Sequence, residues 1–234
     1  MRSLLLLALV ACSKSSSDKP AQEAPGPAPG EVIDEGTIVT TTDGKVTAKE
    51  TFRITKTADR LYITASSATT PEAKVANQQE GRLETDHAYR PIAMTYTYKA
   101  DRNGFSYKLG GSPLVLDRTR ADGERPEHVE AKGPVDVFVE GPGLIAMQAL
   151  CRVEQPATLA TLSDFESGYK GKVVVKTVGK AATLTRLTVA FLDTFEIEVY
   201  CDGAKLIASG LRGNKLWNVR AGSEAVFEAA RDAP

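Results

Sequence analysis

Lys45-Val46-Thr47-Ala48-Lys49-Glu50-Thr51-Phe52-Arg53-Ile54-Thr55-Lys56-Thr57 decides the fold class. The apolar residues Val46, Ala48, Phe52 and Ile54 fall on even positions, while Lys45, Thr47, Lys49, Thr51, Arg53 and Thr55 fall on odd ones. Because successive side chains of an extended chain point to opposite faces, a period of two marks a half-buried strand. Asp43-Gly44 precedes it and reads as a hairpin turn from Val32–Thr42.

Downstream the alternation continues through short turns. Ala58-Asp59 leads to Leu61, Ile63 and Ala65. A more polar strand is expected over Val75–Thr85, and Ile92, Met94, Tyr96 and Tyr98 share the apolar face of the next. Arg102-Asn103-Gly104 turns into Phe105, Tyr107 and Leu109; Leu114-Val115-Leu116 follows, then a polar loop from Arg118 to Gly133. At Val135–Val139 the pattern shortens, and Pro142 opens Leu144-Ile145-Ala146-Met147-Gln148-Ala149-Leu150-Cys151, which is apolar without alternation and predicts a helix over about 142–151. Strands resume at Lys172–Val178 and Thr183–Phe191. Phe195, Ile197, Val199 and Cys201 then face one way, with Glu196, Glu198 and Tyr200 the other. Asp202-Gly203 is a hairpin signal, Leu206–Ala208 and Leu216–Val219 finish the sheet, and Ser223–Arg231 reads equally as a strand or a last short helix. The expected class is mainly all-β: a curved antiparallel sheet or half-barrel with one central helix, and a C-terminal segment that is either a strand or a short helix.

The N-terminal residues have a different logic. Arg2 is followed by an unbroken apolar run, Leu4 to Val10, which closes on Ala11 and Cys12. That run is far shorter than the roughly 20 residues a helix needs to cross a bilayer, so it fits an export signal rather than an anchor. Leu9-Val10-Ala11-Cys12 resembles the bacterial lipoprotein signal, in which cleavage falls between a small residue and a cysteine that is then lipidated. The resemblance implies cleavage between Ala11 and Cys12, acylation of Cys12, and, with Ser13 rather than Asp following, an outer-membrane address. Residues 1–11 are then a signal peptide. Residues 12–30 combine Ser, Lys, Asp, Ala, Gln and Glu with Pro20, Pro25, Pro27 and Pro29, a composition without the apolar surface needed to offset ordering entropy. They are expected to form a disordered tether, and 31–234 the β-domain.

With 29 Lys and Arg against 30 Asp and Glu, the chain has no basic surface of the kind that phosphate backbones require, which argues against a nucleic-acid partner. Cys151 and Cys201 either pair in an oxidising compartment or remain two buried thiols; their even number is compatible with both. Gly141-Pro142-Gly143-Leu144-Ile145-Ala146 has the spacing of a phosphate-binding glycine loop, but its surroundings are meander rather than βαβ, so a helix-start turn is expected. His87 and His128 have no Cys or His at ligand spacing, no metal site is expected, and no Gly-x-Ser-x-Gly elbow accompanies them. The chain therefore reads as non-enzymatic and cofactor-free, with a hydrolase that uses His87 or His128 as base the remote third reading.

The element order, a long meander, an apolar helix near the middle and a paired hairpin ending in Val199-Tyr200-Cys201-Asp202-Gly203-Ala204-Lys205-Leu206, resembles the secreted bacterial β-proteins of the DUF3108 family. More distantly it is similar to the half-barrel of periplasmic lipoprotein carriers. In folds of that kind a curved sheet wraps one or more helices, and several members hold an acyl chain on the concave face. The resemblance places Leu144, Ile145, Met147 and Leu150 on that face and implies a lipid or other apolar ligand between sheet and helix. The second reading is an envelope structural or protein-interaction module whose core is fully packed.

Overall fold

The structure is a computed structural model that describes residues 30–73, 76–100, 104–120, 127–131, 135–138, 143–152, 159–160, 174–181, 183–191, 195–211, 213 and 215–233. The expected signal sequence, the expected lipidation position Cys12 and the expected tether up to residue 29 lie outside these residues, as do Gly141 and Pro142.

The N-terminal half is a meander of β1 (Glu31–Thr42), β2 (Lys45–Lys56), β3 (Leu61–Thr69), β4 (Asn77–Thr85), β5 (Pro91–Ala100), β6 (Phe105–Gly110), β7 (Val115–Arg120) and β8 (Glu127–Glu130). After β9 (Val137–Phe138) come a 3₁₀ helix (Leu144–Cys151) and β10 (Leu159–Ala160), which pairs in parallel with β9. The C-terminal half is β11 (Val174–Ala181), β12 (Leu184–Phe191), β13 (Phe195–Asp202), β14 (Lys205–Leu211), β15 (Leu216–Arg220) and helix α1 (Glu224–Arg231).

Among the described residues thirteen strands form one curved, open antiparallel sheet in the order β11-β12-β13-β14-β15-β1-β2-β3-β4-β5-β6-β7-β8. The turns are local products of the sequence. Asp43 and Gly44 both take positive φ, 50° and 77°, as the right-twisted two-residue hairpin requires. The central seam is not local: β1 pairs with β15, with Ile38 opposite Arg220 and Thr41 opposite Trp217. The last strand therefore lies in the middle of the sheet and joins its halves.

The expected central helix is present, as a 3₁₀ helix over its described residues. Two expectations need correction. The polar loop expected from Arg118 begins later, because β7 runs to Arg120 and β8 adds a further strand. Val46 does not share a face with Ala48: the register slips between Thr40 and Thr41, leaving Thr40 opposite Ala48 but Thr41 opposite Val46. Thr47 is the extra residue of this bulge, and one extra residue reverses the alternation beyond it.

The main core lies on the inner face, where Ile145, Ala146, Ala149 and Leu150 of the 3₁₀ helix meet the sheet. A single rung, Ile54, Ile63, Leu83, Met94, Leu109 and Leu116, crosses from β2 to β7 with every member buried. The outer face of the C-terminal half has its own cluster, in which Phe227 and Ala230 of α1 pack on Leu184, Tyr200, Ile207, Ala208, Trp217 and Val219. A register shift at Tyr200/Cys201 makes Ile207 a bulge residue, so Leu206 faces inward while Ile207 and Ala208 both serve the outer cluster. Trp217 lies across Gly210, where any Cβ would collide with its ring. The C-terminal strands are thus covered on both sides, as a sheet with two apolar faces requires.

Candidate functional site

Polarity changes sharply along the inner face. Two residues from the apolar rung, at Phe52, the next rung passes through Ala65, Gly81, Tyr96, Tyr107 and Arg118. Two residues further, Glu50 stands opposite Ser67, Ser67 opposite Gln79, and Gln79 opposite Tyr98. The following rung is Asn218, Thr40, Ala48 and Thr69. With about 3.4 Å of rise per residue, the face passes from hydrocarbon to hydroxyl and amide within about 14 Å.

At the polar end lies an open cleft of about 850 Å³ between the sheet and the start of the 3₁₀ helix. Thr40, Thr42, Ser67, Thr69, Asn77, Gln79 and Asn218 supply most of its lining from the strands; Leu144, Met147 and Leu216 supply apolar wall, and Asp43, Lys45, Lys49 and Glu72 bring charge. Part of the polar lining is internally organised. Thr40 Oγ1 donates to Asn218 Oδ1 at 2.9 Å, and Asn218 Nδ2 donates to Ser209 Oγ at 3.3 Å. Tyr96 Oη donates to Gln79 Oε1 at 2.9 Å, fixing that carboxamide with Nε2 as its remaining donor.

Of the four residues assigned to a pocket, the structure brings two to the cleft. Leu144 and Met147 are half-buried and line it. Ile145 and Leu150 are buried in the main core. The reason is the three-residue repeat of a 3₁₀ helix, which stacks positions 144 and 147 on one edge.

The helix is held at three points. Glu50, 2% exposed, accepts Leu144 N–H on Oε2 at 2.8 Å and Ile145 N–H on Oε1 at 3.0 Å. Gly143 leaves room for this carboxylate, since a Cβ there would run into it. Burial pushes the Glu50 pKa above the ordinary carboxylate range, and the two N–H bonds offset that only in part. Midway, Gln148 Oε1 accepts Leu206 N–H at 3.2 Å and Arg220 Nη2 at 3.1 Å. At the far end Cys151 is disulfide-bonded to Cys201 on β13, across a separation of 50 residues.

Glu50 was missed in the sequence although its signal is visible there: it occupies an even position, between Ala48 and Phe52, in the register of the buried face. An ionisable residue on an apolar stripe is an exception that calls for a partner. The partner here is backbone 94 residues away, which no local pattern reveals. The histidines stand apart from the cleft. His87 Nε2 lies 3.1 Å from Thr57 O. His128 Nδ1 lies 2.7 Å from Asp117 Oδ1 in an exposed pair. Among the described residues no cluster of His, Cys, Asp and Glu could hold a metal ion.

No protein-family model matches the chain, and no curated protein matches it. Among solved structures the chain is similar to a DUF1089 family protein from Pseudomonas aeruginosa, at 12% identity over 72% of this chain and 90% of that one, with a TM-score of 0.45. Among the described residues the chain itself is mainly β, one large curved antiparallel sheet that does not close.

Proposed function

We propose that this protein is an outer-membrane lipoprotein on the periplasmic side, anchored through Cys12, and that it binds a ligand with an apolar part in the cleft between sheet and 3₁₀ helix without acting on it chemically. The anchor rests on the lipoprotein-like Leu9-Val10-Ala11-Cys12 and on the Pro-rich segment behind it. A tether of that kind extends at about 3 Å per residue and lets the domain work well clear of the bilayer. The single observation that carries the binding reading is the cleft itself, walled by Leu144 and Met147. Its size is that of sites which enclose small molecules.

The ligand enters beside the helix rather than under it. Displacing the helix would break the Glu50, Gln148 and Cys151 attachments together, whereas the cleft is already open. The same attachments favour a second reading, an envelope structural or protein-interaction module with a packed core.

Native mass spectrometry of the mature chain released from membranes separates the two. Under the binding reading, wild type carries added ligand mass and Met147→Asp loses it with an unchanged unfolding midpoint. A clean apo mass, with no uptake of a fluorescent fatty acid or of any other added ligand, leaves the packed module.

A further inference from the structure

We infer that the polar end of the cleft recognises a saccharide, either free or as the headgroup of a larger amphiphile; this rests on the cleft-binding reading and names its ligand class. The observation is a set of neutral groups with unused hydrogen-bonding capacity. Ser67 Oγ, the Asn77 carboxamide and Gln79 Nε2 line the cleft and make no hydrogen bond to another described residue. Together they offer hydroxyl and amide groups that both donate and accept. A saccharide hydroxyl does both as well, whereas a carboxylate or phosphate only accepts and an acyl chain does neither.

The Gln79 amide is also pre-positioned. Ser67 and Gln79 are direct cross-strand neighbours on β3 and β4, and Tyr96 fixes the Gln79 amide from β5. For the Gln79 amide, little side-chain freedom remains to be lost on binding. The apolar side of the cleft is formed by Leu144, Met147 and Leu216, which suits the C–H faces of a ring that is polar around its rim.

A peptide is the less favoured occupant. Extended peptides gain affinity from main-chain bonds at a sheet edge, and among the described residues the edges of this sheet are β8 and β11, while the cleft sits over β15 and β1 to β4.

The test titrates the mature full-length chain, held in a sugar-free detergent, with maltotriose, tri-N-acetylchitotriose, octyl glucoside, sodium palmitate and a neutral tripeptide. Saturable binding of either trisaccharide is expected. Gln79→Leu, which keeps side-chain volume but removes the amide, should weaken it by about tenfold, read well below an unfolding midpoint that itself drops because Tyr96 Oη loses its acceptor; Ser67→Ala, which leaves that bond in place, should weaken it at an unchanged midpoint. Binding of octyl glucoside alone, weakened likewise, upholds the class and identifies the sugar as a headgroup. If palmitate or the tripeptide binds while no saccharide does, or if Gln79→Leu leaves saccharide binding intact, the inference is overturned and the cleft reading stands. If nothing binds, both fall.

Discussion

Arg220 on β15 grips Asp34 on β1 with two parallel bonds, Nη1 to Oδ1 and Nη2 to Oδ2, each 2.9 Å. The side chains are only 12% and 8% exposed. The same guanidinium donates to Leu206 O at 2.9 Å and to Gln148 Oε1 at 3.1 Å, and lies 4.8 Å above the centre of the Phe52 ring. One side chain therefore ties together β1, β14, β15 and the 3₁₀ helix, where the two halves of the sheet meet.

Removing one partner of this pair should cost more than the pair itself is worth, because the other charge is left in a poorly solvated place. Arg220→Met is expected to lower unfolding free energy by about 3–5 kcal/mol, read by urea denaturation. Asp34→Asn in that background should then add little. Burial alone would raise the Asp34 pKa, but Arg220's bonds and charge, with Gln148 and Lys205, carry it below the ordinary range. Its contribution is therefore present at neutral pH and lost as pH falls through the lowered value. An Asp34→Asn loss that grew on acidification would contradict this account.

Glu50 runs the opposite way with pH. Its raised pKa means that the folded state holds the proton more tightly than the unfolded chain, so its contribution is complete below the ordinary carboxylate range and lost as pH rises through the raised value. Glu50→Gln removes that dependence and one of the two helix-capping acceptors. The stability gap between wild type and Glu50→Gln, measured by denaturation from about pH 4 to 8, is expected to narrow as pH rises; a widening gap would refute the burial argument.

The Cys151–Cys201 link closes a span of 50 residues. Cross-linking a span of that length restricts the unfolded chain and typically contributes about 2–4 kcal/mol. Cys201→Ala should lower the thermal midpoint, and adding dithiothreitol to wild type should reproduce the shift while leaving the variant unaffected.

Cys12→Ser should abolish incorporation of labelled palmitate and leave the signal uncleaved, since the thiol is the acyl acceptor in lipoproteins of the kind this leader resembles. Recovery of wild type from the cytosol with Met1 intact and no acyl group would remove the anchor and the proposed address.

Much of the sheet was legible because period-two alternation is a property of neighbouring residues. The alternation of Ile197, Val199 and Cys201 against Tyr200 divides inner from outer cluster as their spacing indicates. Leu61, Ile63 and Ala65 are likewise all buried. Where local pattern misled, a bulge intervened: Thr47 moves Val46 to the other face, and nothing in the composition of the strand marks it. At the cleft, the apolar character of Leu144–Cys151 was plain, but which of its residues face the core depends on 3₁₀ rather than α geometry.

By itself the sequence determined the all-β class, the turn at Asp43-Gly44 and the strand-by-strand alternation, because backbone sterics and side-chain spacing act over a few residues. The tertiary structure decided that β15 completes the sheet against β1, that Glu50 caps a helix far along the chain, and that rungs of hydroxyl and amide groups line up into a cleft. Those outcomes depend on register between distant strands, and register follows from which apolar faces and unpaired backbone edges must be satisfied together.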